Sequence, residues 1–338
     1  MDQIELEPSP AFPPGGPDAR DRRGLWLLIG VYLGAMGFAA LLAPGVYHLI
    51  QAQHTEAPNA LTREIADNSL ADYFDRFRWL AVLIGLPWLI RACGFTGWRS
   101  VGLGRRPGWL ARLGRGAGVG GGLLLLLAAI QTLFGPVDWT GGTVGDWLGW
   151  FGRGLLAGTL IGLLEEFLFR AMILRLLVSG LGLRGGLIVS GLFFAYTHFK
   201  FPEDLVALPA GEGVGLVDGF RVAVWTLAAI VVDFRPVAFL NLTLLGWLLA
   251  GMVVRDRDLW RAIGFHGAIV LLLVPYSQAA DVAGGWWWGS ARLVDGLLAT
   301  VALAAYGLLR WRPPAGALKQ PPAEDQDERG ASRGRQSP

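Results

Sequence analysis

A polar cluster inside an apolar helix constrains this chain more than any other feature of its sequence. The stretch from Gly154 to Arg175 reads GLLAGTLIGLLEEFLFRAMILR, and it places Glu165, Glu166 and Arg170 in a pattern otherwise typical of a membrane-spanning helix. One charge at the centre of a span costs roughly 3 kcal/mol on insertion scales, so charges at this depth usually face a bundle interior or a watery cavity and have a partner. The sequence therefore predicts partners for these three side chains within the protein.

The composition is that of a membrane protein. Hydrophobic residues make up 53% of the 338-residue chain and charged residues only 17%, whereas soluble domains carry about 25% charged residues. The mean hydropathy is +0.44. A formal net charge of +2 does not favour nucleic acid as a partner, and the single cysteine, Cys93, excludes an internal disulfide and a cysteine-built metal site.

The apolar runs predict an all-α fold, a polytopic membrane helix bundle of about eight transmembrane helices. The predicted spans are 25–42, 78–93, 117–135, 148–178, 186–201, 236–254, 260–276 and 291–311. We expect a disordered leader at 1–24, a transmembrane helical domain at 25–311 and a disordered tail at 312–338, with a further helix at 217–232 lying at the membrane interface.

The charged loops predict the orientation. The loop after the second span carries five arginines and no acid, whereas the loops on the other side carry acids and few bases. The positive-inside rule then places both termini in the cytoplasm, with the chain in the cell inner (plasma) membrane and the lipid bilayer as its surroundings.

Helical spacing distinguishes the two glutamates. Gly154, Gly158 and Gly162 form a small-residue stripe suited to close helix packing, and Glu166 extends that stripe. Arg170 follows Glu166 by four residues, the spacing and order of an ion pair along one helix face. Glu165 is left on a neighbouring face, available for chemistry.

Two histidines lie in apolar helical surroundings at a similar depth. His198 is in GLFFAYTHF and His266 in AIGFHGAIV, and we expect both to meet Glu165 near the middle of the membrane. The three groups would activate a water in one of two ways. Either they hold a zinc ion with an open fourth position, or Glu165 accepts the proton directly while the histidines orient the water and the developing oxyanion.

Each residue also has a structural interpretation. Glu166 with Arg170 is compatible with a structural ion pair, and each histidine, taken singly, with a core residue. Ionisable groups on three spans also occur in the proton relays of transporters. Many transporters contain inverted repeats, which would predict a second copy of the Glu-Glu segment. The sequence shows no such copy.

The succession of these motifs resembles a known family. Glu165-Glu166-x-x-x-Arg170, then Phe194-x-x-x-His198, then His266 in LWRAIGFH, look like the motifs of the CPBP intramembrane proteases, which include the type II CAAX prenyl endopeptidases and the bacteriocin-processing or Abi proteins. The resemblance covers about residues 150–275. EExxxR alone is a weak signal, and its combination with FxxxH makes the resemblance specific.

The resemblance implies an all-helical endopeptidase acting on a peptide or protein substrate at the membrane. Glu165 would activate the water with His198, and His266 would help to form the oxyanion site. Glu166 and Arg170 would shape the helix that carries the glutamates, here called the motif helix. Family members are described both as metalloproteases and as glutamate-dependent peptidases. The absence of HExxH and of cysteine ligands favours the metal-free version; a zinc enzyme would use Glu165, His198 and His266 as ligands.

One position departs from the family pattern. Val270 stands four residues after His266, where the family often has Asn or Asp, so the usual amide donor to the oxyanion is missing. Asn241 on the sixth span is a candidate substitute. The alternatives are a branch that works differently, or a non-catalytic scaffold or bacteriocin self-immunity protein on the same fold. A proton-coupled transporter is the third hypothesis for the function.

Overall fold

The computed structural model describes residues 19–310 except 58, 60–62, 64, 93 and 200–213. These residues form a helix bundle with one short two-stranded sheet, so the predicted all-α class is confirmed. The elements are α1 (Ala19–Glu56), α2 (Leu70–Ala92), α3 (Trp109–Phe134), β1 (Val137–Trp139), α4 (Val144–Glu166), a π-helical segment (Phe167–Ile173), α5 (Leu174–His198), α6 (Leu216–Val232), α7 (Pro236–Asp256), α8 (Trp260–Ala279), β2 (Ala280–Val282) and α9 (Leu297–Arg310).

The helix lengths are those of a multi-pass membrane protein. Five stretches are long and apolar enough to cross a membrane: Trp26–Glu56 in α1, α3, Gly180–His198 in α5, α7 and α8. α2 and α4 have 23 residues each, close to the roughly 20 residues that a span needs. The prediction of about eight transmembrane helices is roughly consistent with this set.

Several boundaries differ from those predicted. α1 begins at Ala19, within the predicted leader; residues 1–18 and the predicted tail at 312–338 lie outside the described residues. The last helix starts only at Leu297, because the preceding chain forms a loop that is closed where the amide of Leu297 donates to the carbonyl of Trp286. The predicted long span at 148–178 comprises most of α4, the π-helical segment and the start of α5.

Glycines bring α3 and α4 close to α8, which lies between them. A Cβ added at Gly158 of α4 would lie 2.4 Å from the carbonyl oxygen of Gly267, and one at Gly120 of α3 would lie 2.3 Å from that of Phe265. Only glycine allows such an approach of two helix backbones. The predicted packing role of the glycine stripe is therefore confirmed, and it fixes α8, with His266, against the helix that carries the glutamates.

The remaining helices surround this centre. α5 packs on α7, and α1 packs on α2 and α6. The antiparallel strands β1 and β2, which pair Val137 with Val282, join the chain just after α3 to the end of α8. Near them Tyr276 donates a hydrogen bond of 2.6 Å to buried Gln131. These contacts close the end of the bundle where α3 and α8 meet the sheet.

Candidate active site

The glutamate motif lies where the helix changes its winding. Glu165 and Glu166 are the last residues of α4, and Arg170 lies in the π-helical segment that follows. A π-helical turn widens the helix by one residue per turn and is found frequently at functional sites. The segment is almost wholly buried, and it connects α4 to α5 without a loop.

Glu166 is the centre of a buried charged network. Its side chain has no exposed surface, and its Oε2 lies 3.3 Å from Nε of Arg170. Its Oε1 lies 2.9 Å from Nδ1 of His266 on α8. A second nitrogen of Arg170 donates to the carbonyl oxygen of Gly246 on α7. The predicted Glu166–Arg170 pair is thus present, and one carboxylate links the motif helix to α8.

Glu165 faces a different partner. Its Oε2 lies 3.5 Å from Nε2 of His198, at the end of α5, and these two side chains are 13% and 27% exposed. Nδ1 of His198 lies 2.7 Å from the carbonyl oxygen of Phe194. Because a carbonyl oxygen only accepts, Nδ1 carries the hydrogen, and Nε2 is the nitrogen that faces Glu165.

In the structure, each of the two histidines therefore contacts a different glutamate. The sequence predicted that both would meet Glu165, and His198 does so. His266 instead bonds Glu166, one residue further along the helix. These four side chains form two carboxylate–imidazole pairs side by side rather than one cluster of three.

Phe194 lies between the two pairs. Its ring is fully buried. The ring centroid lies 4.2 Å from that of His198 and 5.9 Å from that of His266. The guanidinium carbon of Arg170 lies 4.4 Å from the same centroid, a cation–π geometry. The aromatic residue of the FxxxH pattern thus contacts three of the polar groups and restricts how their side chains turn.

The Glu165–His198 pair opens onto a large cavity of about 880 Å³. Its walls are mostly aliphatic and aromatic and come from α1, α2, the motif helix, α5 and α6. The charged residues that line it, apart from the pair itself, are Asp72, Asp75, Arg78, Asp233, Arg235 and Arg292. A concave apolar space with few converging polar groups is the usual form of a ligand site. No local pattern in the sequence predicts that α1 and α2 contribute to it.

One comparison with known proteins found a family match. Residues 147–272 match the family model described as "Type II CAAX prenyl endopeptidase Rce1-like". This segment is therefore similar to the CAAX proteases. No curated protein and no solved structure matches the chain. The matched segment runs from the start of α4 into α8 and includes both carboxylate–imidazole pairs.

Asn241 bonds groups outside the two carboxylate–imidazole pairs. Both hydrogen bonds that its amide nitrogen donates go to backbone carbonyls, those of Val294 and Gly296, and its Oδ1 accepts from Thr300. The side chain joins α7 to the start of α9 and has no hydrogen left for an oxyanion. The expectation that Asn241 replaces the missing amide donor is therefore wrong. Val270 is half-buried on α8, one turn after His266.

The zinc alternative requires Glu165, His198 and His266 around one ion. Across the part of the chain that the structure describes, no group of three His, Cys, Asp or Glu side chains is arranged to hold a metal ion. The nitrogen of His266 that lies nearest a carboxylate is bonded to Glu166, not to Glu165.

Proposed function

We propose that this protein is an intramembrane endopeptidase that cleaves a peptide or protein substrate with a water activated by Glu165. The proposal rests on one observation: Oε2 of Glu165 lies 3.5 Å from Nε2 of His198, and both residues line an apolar cavity. The match to a family of CAAX proteases supports this reaction class. Polar residues of this kind at membrane depth are functional by default.

The hydrogen-bond roles of the pair suit a water nucleophile. A charged Glu165 only accepts hydrogen bonds, and Nε2 of the neutral His198 ring also accepts. Two acceptors facing each other are best satisfied by a molecule that donates to both, and water is one. Bound there, a water would have its hydrogens held by Glu165 and His198 and a lone pair directed into the cavity.

The proposed reaction follows from this arrangement. The water oxygen attacks the peptide carbonyl carbon while Glu165 takes one of its protons, which forms a tetrahedral oxyanion. The intermediate collapses by breaking the C–N bond, and Glu165 returns the proton to the leaving amine. The apolar walls of the cavity lower the local dielectric constant, which strengthens each of these electrostatic interactions.

His266 is the proposed stabiliser of the oxyanion. Its Nδ1 bonds the Glu166 carboxylate, so the ring orientation is fixed by a group that Arg170 also holds. Nε2, the nitrogen that does not bond Glu166, would donate to the oxyanion when both ring nitrogens carry a hydrogen.

The proposed location is the cell inner membrane with both termini in the cytoplasm. This orientation follows from the arginine-rich loops and the positive-inside rule. It places the start of α3 and of α8 on the cytoplasmic side.

The direct test is peptide cleavage by the purified full-length protein in detergent, using a peptide library. Glu165→Gln and His198→Ala should each lower kcat by at least about 100-fold, since a positioned base contributes roughly 10²–10⁴-fold. Asp233→Asn is the matched control, because Asp233 lines the same cavity but pairs with Arg235 at 3.2 Å. Cleavage that persists in both catalytic variants would contradict the assigned roles.

A chelator separates the metal-free mechanism from the zinc alternative. We expect cleavage by the active preparation to continue after incubation with a strong zinc chelator. Loss of activity that added zinc restores would contradict the glutamate-only mechanism.

Val270 favours one alternative function, a non-catalytic scaffold or self-immunity protein on the same fold. The residue supplies no hydrogen-bond donor where the family pattern often has an amide. Absence of cleavage by the wild-type protein over the whole library, with the protein folded, would favour the scaffold.

A further inference from the structure

We infer that the end of the bundle where α3 and α8 begin carries a binding site for the headgroup of an anionic phospholipid. The site, here called the Arg–Trp patch, consists of Arg105, Arg106, Trp109 and Trp260. It is separate from the cavity, and none of its residues lines the cavity or touches the active-site pairs.

The two tryptophans mark the depth of the patch. Trp109 is the first residue of α3 and Trp260 the first residue of α8, two helices long and apolar enough to span a membrane. Their rings lie 4.5 Å apart, and the indole N–H of Trp260 donates to the carbonyl oxygen of Gly104. Tryptophans at the ends of spans lie at the level of the lipid headgroups. The pair therefore sits at the membrane boundary, held in a fixed position.

One arginine of the patch lies over a tryptophan ring, and the other is its neighbour in the sequence. The guanidinium carbon of Arg105 is 5.5 Å from the Trp109 ring centroid, and Arg105 and Arg106 are both exposed. Among the described residues neither arginine forms an ion pair within 4 Å. Further exposed arginines at this end of the bundle are Arg99, Arg115, Arg255 and Arg257.

The acids nearby are already neutralised and turned inward. Asp258 is 3% exposed and bonds Arg112 at 2.7 Å, and Asp256 is 8% exposed and bonds Arg261 at 2.8 Å. The amide of Leu259 donates to the carbonyl of Gly102, which holds the two loops together. The outer surface is consequently positive without nearby exposed acids, and its shape does not depend on a ligand.

This combination fits a lipid phosphate. Two adjacent guanidinium groups form charge-assisted, bidentate hydrogen bonds with phosphate oxygens. The tryptophan rings would lie beside the glycerol and upper acyl chain of the same molecule. Basic surfaces between span ends are a known form of anionic-lipid recognition. A free anion in solution would gain the charge contacts but not the contact with the rings.

The test compares thermal unfolding of the full-length protein in a neutral detergent with and without added lipid. Phosphatidylglycerol should raise the melting temperature of the wild type by several degrees, because a ligand that binds only the folded state stabilises it. Phosphatidylcholine and inorganic phosphate at the same concentration should have little effect. In the Arg105→Gln/Arg106→Gln variant the rise should fall by at least half.

The control variant removes two arginines elsewhere. Arg91→Gln/Arg184→Gln has the same net charge as Arg105→Gln/Arg106→Gln, and both of its positions are exposed. It should keep the full response to phosphatidylglycerol. Trp109→Leu, which keeps both charges, should lose part of the response.

Three results would overturn the site. The first is a wild-type melting temperature that does not rise with phosphatidylglycerol. The second is an equal loss of the rise in both double-arginine variants, which would indicate diffuse attraction. The third is an equal rise with inorganic phosphate, which would indicate an anion site without lipid. Because all the lipid measurements are comparisons with the same variant lacking lipid, a change in basal stability does not mimic any of them.

Discussion

At the scale of single residues, the two adjacent glutamates have different surroundings. Glu166 is wholly buried between Arg170 and His266, whereas Glu165 reaches the cavity. A buried ion pair contributes little net stability, but removing one partner leaves an uncompensated charge in the interior. Glu166 and Arg170 therefore depend on each other.

Stability measurements can test this dependence. Glu166→Gln should lower the free energy of unfolding by about 3–5 kcal/mol, because Arg170 keeps its charge without a carboxylate. The double variant Glu166→Gln/Arg170→Met should lose less, since no buried charge remains. Thermal unfolding in detergent measures both. An equal or larger loss in the double variant would show that the ion pair is not what Glu166 supplies.

Val270 offers a second test at this scale. It follows His266 by one turn of α8, so a side chain there points to the same side of the helix. If the missing amide limits the reaction, Val270→Asn should raise kcat by about tenfold or more, as removal of one oxyanion donor costs roughly 10²–10³-fold. Val270→Leu is the control. A kcat that stays unchanged in the asparagine variant would mean that the oxyanion lies elsewhere.

At the scale of helices, the sequence predicts which helix faces pack closely better than it predicts how a neighbouring helix is turned about its axis. The stripe Gly154, Gly158 and Gly162 indicated a close helix neighbour, and the structure places α8 there. The pairing of Glu166 with Arg170 also followed from spacing alone. Spacing does not fix how a second helix is turned about its axis, however, and one residue corresponds to about 100°. This is why His266 was expected at Glu165 and is found at Glu166.

Three further features could not be predicted from the sequence. No residue pattern marks Phe167–Ile173 as π-helical, since its apolar residues are compatible with an ordinary helix. Asn241 lies on a predicted span, and only the chain before α9 shows that backbone carbonyls accept both of its amide hydrogens. The cavity walls from α1 and α2 depend on long-range packing that local patterns do not encode.

The glycine contact between α4 and α8 makes a prediction of its own. Gly158→Ala should destabilise the protein by about 1–3 kcal/mol, because the added carbon meets the rigid backbone oxygen of Gly267 at 2.4 Å. Gly152→Ala on the same helix has nothing within 4 Å and should be neutral or stabilise by about 0.5–1 kcal/mol. Melting temperatures in detergent would measure the difference. Equal effects would contradict the close approach.

At the scale of the whole molecule, the bundle has one end rich in exposed arginines and an opposite end with the β1–β2 sheet. The loop with Trp98 and the turn between α7 and α8 lie at the arginine end, whereas Thr140 lies at the sheet end. If the arginine end is cytoplasmic, only the sheet end is reachable from outside an intact cell.

Cysteine labelling tests this orientation. In a Cys93→Ser background, Thr140→Cys should react with a membrane-impermeant maleimide added to intact cells, and Trp98→Cys should react only after the cells are opened. Both positions are exposed. Labelling of Trp98→Cys alone in intact cells would reverse the proposed topology.

The cavity is built from two parts of the chain with different ancestry signals. The Glu165–His198 pair lies within the segment 147–272 that matches the family model, while α1 and α2 contribute to the cavity wall and lie before that segment. Mutations in α1 and α2 can therefore alter which molecules fit the cavity without touching the two groups proposed to activate the water. Such a division would let selectivity change independently of the proposed chemistry.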